Sequence, residues 1–279
     1  MMSFGKSALK LSLLLLLNSC SHLFYQPTTY QYADPAQYKM QFEDVYFNSK
    51  DGTKLHGWFF RAQGPKVRGT IVHFHGNAQN LSAHFLNLVW SVKEGFNYFI
   101  FDYRGYGKSE GKPTQESVNQ DALSAMNKGY ALYLKHPGGK FIVYGQSLGS
   151  IISMRALKDW DQSKVDLLVQ DSSFYSYTKI AFDKLSDVWF LVPLSPLAYL
   201  LVSNEYASKS ILQDIKVPLL VITSKKDKIT PPMYGRYIYK NAGAQHKWWW
   251  KSETAEHIEI FFSEGGKFRQ EFINLIDQI

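Results

Sequence analysis

The segment FIVYGQSLGSIISMRAL, Phe141 to Leu157, constrains the fold of this chain more than any other stretch. Phe141 to Tyr144 is a short apolar run of β-forming residues, as a strand buried on both faces requires, and from Leu148 onward apolar residues recur at helical spacing. Ser147 therefore stands at the corner where a strand turns into a helix. Such a corner strains the backbone of its central residue, and strand and helix can approach only if the flanking residues are small; Gly145 and Gly149 meet that need. Gly-x-Ser-x-Gly alone arises by chance in about one chain of this length in ten at ordinary glycine and serine usage, so the context carries the inference. The first turn of the helix leaves free N–H groups beside the serine hydroxyl, a setting suited to developing negative charge.

The rest of the chain alternates strand-like and helix-like segments. Val45 to Asn48 and Lys54 to Arg61 flank Lys50-Asp51-Gly52, a hairpin signal. Gly69 to His75 then reads as strand, Leu81 to Lys93 as helix and Phe96 to Phe101 as strand. Thr114 to Leu134 reads as a helix with Val118, Ala122, Ala125, Gly129 and Leu132 on one face and Thr114 as its N-cap. Past the corner, strands are expected at Val165 to Val169, Val217 to Thr223 and Lys247 to Trp250, with helices at Pro232 to Asn241 and Lys267 to Ile276. This alternation implies an α/β fold: a mostly parallel sheet of eight strands with helices on both faces. Phe174 to Leu212, carrying Trp189, Phe190, Pro193 and Pro196, interrupts the rhythm without a strand. It reads either as a short lid above the strand ends, over about residues 174–212, or as ordinary connecting helices.

A serine hydroxyl is a poor nucleophile at neutral pH and needs a base, usually an imidazole oriented by a carboxylate. Asp227 follows the strand Val217 to Thr223 and precedes a proline-started helix, and His257 lies on the loop after the last strand. The order Ser147, Asp227, His257 is that of a strand–turn–helix nucleophile with its partners downstream. Asp171 is the rival carboxylate, and His73, His75 and His246 are the rival bases. An oxyanion needs two N–H donors: Leu148, directly after the serine, and by position Asn77, in the loop after the strand Thr70 to Phe74. No His/Asp/Glu group has metal-ligand spacing, so a metallohydrolase is not expected.

The first twenty residues, MMSFGKSALKLSLLLLLNSC, place Lys6 and Lys10 before the apolar run Leu11 to Leu17. That is the shape of a signal peptide over residues 1–19, too short for a spanning helix. Leu17-Asn18-Ser19-Cys20 resembles the lipobox of bacterial lipoproteins, which makes Cys20, the only cysteine, a candidate for lipidation and rules out an internal disulfide. An ordinary secretory signal with an incidental cysteine is the alternative. With Ser21 following, the resemblance implies sorting to the outer membrane, periplasmic face, if the source is Gram-negative. Residues 20–41, with Tyr25, Tyr30, Tyr32 and Tyr38 around Pro27 and Pro35, read as a tether to a domain spanning residues 42–279. The formal charge of +7 is spread without a basic stripe interleaved with aromatics, which argues against nucleic-acid binding.

Taken in order, Thr70-Ile71-Val72-His73-Phe74-His75-Gly76-Asn77, Phe101-Asp102-Tyr103-Arg104-Gly105-Tyr106-Gly107-Lys108-Ser109 and Gly145-Gln146-Ser147-Leu148-Gly149 resemble the α/β-hydrolase superfamily. Ile215-Lys216-Val217-Pro218 leading to Asp227, and then His257, complete the resemblance over residues 42–279. Within the superfamily the chain is similar to small-lid serine hydrolases with esterase and membrane-associated, depalmitoylase-like members. Ala255 departs from the glycine that many relatives carry near the histidine. The resemblance implies a cofactor-free serine hydrolase acting on acyl esters or thioesters, small-molecule or lipid, through an acyl-enzyme on Ser147, and gives Asp102 to Ser109 a structural role. A peptidase of the same fold, or a non-catalytic lipoprotein binding an envelope lipid or partner, are the alternatives. Lys247-Trp248-Trp249-Trp250-Lys251 fits the last of these as an interfacial patch, or else a strand covered on both faces.

Overall fold

A computed structural model describes residues 24–279; the signal-like segment and Cys20 lie outside the described residues. Eight strands form one sheet: β1 (Glu43–Asn48), β2 (Lys54–Phe60), β3 (Gly69–Phe74), β4 (Phe96–Asp102), β5 (Lys140–Gln146), β6 (Leu167–Asp171), β7 (Leu219–Ser224) and β8 (Lys247–Ser252). Their order is β1-β2-β4-β3-β5-β6-β7-β8. The hairpin β1–β2 and the pair β2–β4 are antiparallel; every other pair is parallel. The sheet is thus the mostly parallel, eight-stranded one that the alternation of elements implies.

Both faces of the sheet are covered, and single strands show why. Phe141 and Val143 of β5 point into one core, whereas Ile142 and Tyr144 point into the other, so a continuous apolar run serves two interiors at once. The first core also takes residues from α1 (Gln115–Lys135), α2 (Leu148–Lys158) and α4 (Pro232–Asn241). The second takes Leu81, Phe85, Leu88 and Val92 together with α5 (Lys267–Gln278). In α1 the expected face is buried, and Thr114 caps it in a reciprocal capping box with Ser117. The three tryptophans of β8 divide between the cores, Trp248 and Trp250 on one side and Trp249 on the other, with the Lys251 ammonium 3.7 Å from the Trp249 ring centroid.

Two expectations need correction. Leu81 to Lys93 is not one helix but two short helical turns, Leu81–His84 and Trp90–Lys93, joined through a tighter turn at Phe85–Asn87. The apolar periodicity survives because Leu81, Phe85, Leu88 and Val92 still face the core. The hydrogen bonding does not: the Asn87 carbonyl, which a continuous helix would give to residue 91, accepts the Trp90 indole N–H at 3.1 Å, and the Ser91 amide turns to Leu88. Nor do residues 24–41 hang free. Phe24 and Tyr25 are buried, Gln26–Pro27 pairs in parallel with Ala78–Gln79, and the Tyr106 hydroxyl accepts the Gln26 amide at 3.0 Å. Their aromatics lie on the domain.

The interval 174–212 is helical throughout its ordered elements, with α3 (Tyr177–Ser186), a tight-helical stretch Trp189–Leu197, a turn Ala198–Leu201 and another at Lys209–Asp214. Among the described residues, no helix is long and apolar enough to cross a membrane. Because Tyr25 fills the first core, truncating it probes whether this segment is part of the folded unit. Tyr25→Ala is expected to cost about 3 kcal/mol in chemical denaturation, as loss of a buried aromatic does; a change within about 0.5 kcal/mol would mean that the segment is a mere tether.

Candidate active site

Ser147 occupies the corner between β5 and α2 with φ 53° and ψ −117°, a conformation that non-glycine residues rarely adopt. A Cβ at Gly149 would fall inside the van der Waals radius of the Phe74 carbonyl, and one at Gly145 would collide with Ser150 and Ser153 of α2. Those two contacts are the reason strand and helix can meet so sharply. The Ser147 amide donates to the Asp171 carbonyl at 2.9 Å, and the Ser147 carbonyl accepts the Ser150 amide at 3.0 Å and hydroxyl at 2.5 Å. The strained residue is thereby held at both ends.

The register of the sheet brings its partners to the same edge. Phe74 lies opposite Gly145 and Gln146 opposite Asp171, so the loops leaving β3, β5 and β6 emerge together at the carboxyl ends of the strands. Asp227 and His257 arrive on the loops after β7 and β8, whose ends are aligned by the pairing of Ser224 with Ser252. His257 Nε2 is 3.0 Å from Ser147 Oγ, and His257 Nδ1 is 2.8 Å from Asp227 Oδ2. With Nδ1–H donated to the carboxylate, the Nε2 lone pair faces the serine hydroxyl.

Asp227 is buried and multiply bonded. Its Oδ1 accepts the Ile229 and Thr230 amides, each at 2.8 Å, and its Oδ2 lies 2.9 Å from the Thr230 hydroxyl. Burial pushes its pKa up, but the hydrogen bond and charge of His257 and the Thr230 amide outweigh it, leaving the carboxyl below its ordinary range. The His257 loop is pinned separately. The Ala255 amide donates to Ser252 Oγ at 2.9 Å, the Ala255 carbonyl accepts the Ser224 hydroxyl, and Glu264 accepts Ser252 Oγ at 2.7 Å and the Glu253 amide at 3.0 Å. Hydrogen bonds from Lys267, Ser252 and Glu253 hold the Glu264 carboxyl down at about 2.

The rivals are committed elsewhere. Asp171 turns its side chain to the Tyr144 hydroxyl at 2.8 Å, and burial raises its pKa to about 6. His73 is buried between the Tyr98 hydroxyl at 2.8 Å and Gln146 at 3.2 Å. His75 Nδ1 faces the Gly76 carbonyl at 2.8 Å, with Nε2 3.3 Å from Asp102, and His246 sits at the start of β8, where its carbonyl accepts the Leu219 amide. Asp102 accepts the Leu81 amide at 2.7 Å, and Arg104 holds the fully buried Asp121 with a bond as short as 2.7 Å, so the segment Asp102 to Ser109 braces the site from outside.

Ser147, Leu148 and Asn77 line one cleft of about 270 Å³, together with Phe24, Phe174, Ile180, Ala181, Lys184, Leu185, Ile229 and Thr230. Leu148 opens α2, where its amide has no intrahelical acceptor. The Asn77 amide has none among the described residues either, and the Asn77 carbonyl is fixed by the Gln26 amide and the Tyr106 hydroxyl. Among the described residues, no group of His, Cys, Asp and Glu side chains could hold a metal ion.

Sequence reasoning missed three contributors. Thr230 anchors Asp227 and donates toward the Ser172 carbonyl at 2.8 Å; its place three residues after Asp227 was the available signal. Ser172, at φ 51°, accepts the amide of Ile258, itself at φ 61°, and so ties the β6 loop to the His257 loop. Phe24 lines the cleft from a segment read as a tether.

The family model described as the alpha/beta hydrolase fold matches residues 69–195. The chain is 31% identical over 243 residues to the protein YfhR of Escherichia coli (strain K12), covering 84% of this chain and 80% of YfhR. It is 30% identical over 227 residues to the alpha/beta hydrolase domain-containing protein WAV2 of Arabidopsis thaliana, covering 76% and 70%. An esterase of Pyrococcus furiosus superposes with a TM-score of 0.73 at 19% identity, covering 91% of this chain and 98% of that one. An acetyl xylan esterase from Paenibacillus sp. R4 does so with a TM-score of 0.65 at 17% identity, covering 95% and 92%.

The raised pKa of Asp171 has a measurable consequence. The native state binds this proton more tightly than the unfolded chain, so its contribution to stability is present below about pH 4 and is lost as pH rises through about 6, in all up to about 3 kcal/mol. In urea unfolding across that range, the stability of wild type relative to Asp171→Asn should fall with rising pH by that order. A difference that stays flat would mean that Asp171 ionises ordinarily.

Proposed function

The chain belongs to the alpha/beta hydrolase family, and we propose that it is a serine hydrolase cleaving carboxylic ester or thioester bonds through an acyl-enzyme on Ser147. The observation that carries this reading is the unbroken chain of contacts from Ser147 Oγ through His257 to Asp227, opening onto a cleft walled mainly by apolar side chains.

In the proposed reaction Ser147 Oγ attacks the acyl carbon while His257 Nε2 takes its proton, and Asp227 stabilises the imidazolium through Nδ1–H. The Leu148 and Asn77 amides receive the negative oxygen of the tetrahedral intermediate, with the N-terminus of α2 adding its dipole. Collapse expels the alcohol or thiol, which His257 protonates. Water, deprotonated by the same imidazole, then releases the acid and restores the serine. Phe174, Ile180, Ala181 and Leu185 offer an apolar acyl group a surface to lie against. The superposed proteins are, by name, esterases, which agrees with this class of bond.

The proposal extends to the envelope. Cys20, at the end of a signal-peptide-shaped segment, would carry the lipid that anchors the domain to a bacterial membrane, the periplasmic face of the outer membrane in a Gram-negative source.

Wild type should react with a fluorophosphonate probe and Ser147→Ala should not. Asp227→Asn, which leaves the imidazole without its carboxylate, should lower kcat on a chromogenic short-chain ester by about 10³ to 10⁴. Full turnover in Ser147→Ala, or an unlabelled but folded wild type, would overturn the reading.

A further inference from the structure

Beyond α3 the chain exposes apolar side chains in succession. Trp189 is 84% exposed, Phe190 61% and Leu200 72%, and Val192, Leu194 and Tyr199 are exposed with them. Single exposed apolar residues are ordinary, but so dense a group within residues 189–200 marks a surface with a partner. It is not a separate feature from the cleft. Ile180, Ala181, Lys184 and Leu185 on α3 form one cleft wall, the apolar stretch starts three residues after α3 ends, and the Phe182 and Tyr199 rings pack at 5.4 Å. Ile229 also lines the cleft and is itself exposed, next to Lys226 and Lys228, and the Lys184 ammonium of α3 donates to the Lys228 carbonyl at 2.7 Å.

Two further observations identify the partner. Phe24, the first described residue, lines the cleft and packs edge-on against Tyr177 in the first turn of α3, with ring centroids 5.0 Å apart. Cys20 is four residues earlier and, even fully extended, lies within about 14 Å of Phe24. A lipid on Cys20 would therefore bring a membrane to the cleft side of the domain and to no other. Charge agrees with this: Lys226 and Lys228 are exposed, and among the described residues neither is in an ion pair, as cations facing anionic headgroups should be.

We propose that the apolar stretch 189–200 and the Lys226–Ile229 loop form a bilayer-docking surface that turns the mouth of the Ser147 cleft toward the membrane, so that the acyl esters it receives reside in the lipid phase. The inference deepens the hydrolase reading and rests on it for the substrate; the docking itself rests on the patch and on the position of Phe24. Trp189 and Phe190 enter the interfacial region as aromatic residues do at membrane boundaries, and Lys226 and Lys228 remain at headgroup level.

The patch supplies its own reporter, because Trp189 is the one exposed tryptophan of the seven in the chain. The full chain, purified with its natural anchor, is bound to vesicles of phosphatidylethanolamine and phosphatidylglycerol with or without bromine on the acyl chains. Brominated lipid should quench the fluorescence of wild type, and the quenchable part should vanish in Trp189→Phe. The combined variant Trp189→Ser, Phe190→Ser, Leu200→Ser should hydrolyse dissolved p-nitrophenyl acetate within about twofold of wild type, yet act about tenfold more slowly on an ester embedded in the vesicles. Quenching that is equal in wild type and Trp189→Phe would overturn the proposal. So would sedimentation showing a wild-type dimer that the combined variant cannot form, since a second copy would then cover the patch. If Trp189 is quenched but neither ester is cleaved, the hydrolase reading fails and the docking surface stands.

Discussion

The structure depends on one compressed contact, the approach of α2 to the end of β3 across Gly149. With no side chain there, the helix reaches the Phe74 carbonyl, and Ser147 is driven into a backbone conformation that its side chain alone would not choose. Such strain is of the order of 1–3 kcal/mol and persists only where the surroundings over-determine it. Here the bond that the Ser147 amide donates to Asp171, and those that its carbonyl accepts from Ser150, do so. The result is a hydroxyl held above the centre of the sheet with a helix N-terminus behind it, before its partners are in place.

The partners of that hydroxyl come from loops that would otherwise be mobile, and each is tied down by its own set of hydrogen bonds. Asp227 is gripped by two amides and Thr230, and the His257 loop is held through Ser252, Ser224 and Glu264. Ser172 couples the two regions by accepting the Ile258 amide while its carbonyl takes the Thr230 hydroxyl. A contact of 3.0 Å between His257 and Ser147 is thus the sum of several small constraints rather than of one strong bond.

Much of this was legible in the sequence because it follows from periodicity and steric need. The strands announce themselves as apolar runs since both faces are buried, and Gly145 and Gly149 announce the corner because nothing larger fits. Asp227 and His257 could be placed because each follows a strand of the parallel sheet. What stayed hidden depends on contacts between distant segments. The break within Leu81 to Lys93 keeps the apolar spacing of a helix while Trp90 takes a carbonyl from its ladder. Phe24 and Gln26 resemble parts of a linker until Tyr177 meets the first and Asn77 the second. The stretch 189–200 reads as lid or as connecting helices, and only the fold shows that its apolar side chains face outward.

The most direct measurement of the central claim is a rapid-quench experiment on wild type mixed with a p-nitrophenyl ester, followed by mass analysis of the peptide that carries Gly145 to Gly149. The account predicts one acyl group, located on Ser147, that forms at the rate of nitrophenol release and decays with turnover. Steady hydrolysis with no acyl group on that peptide, or with the acyl group on another residue, would contradict it.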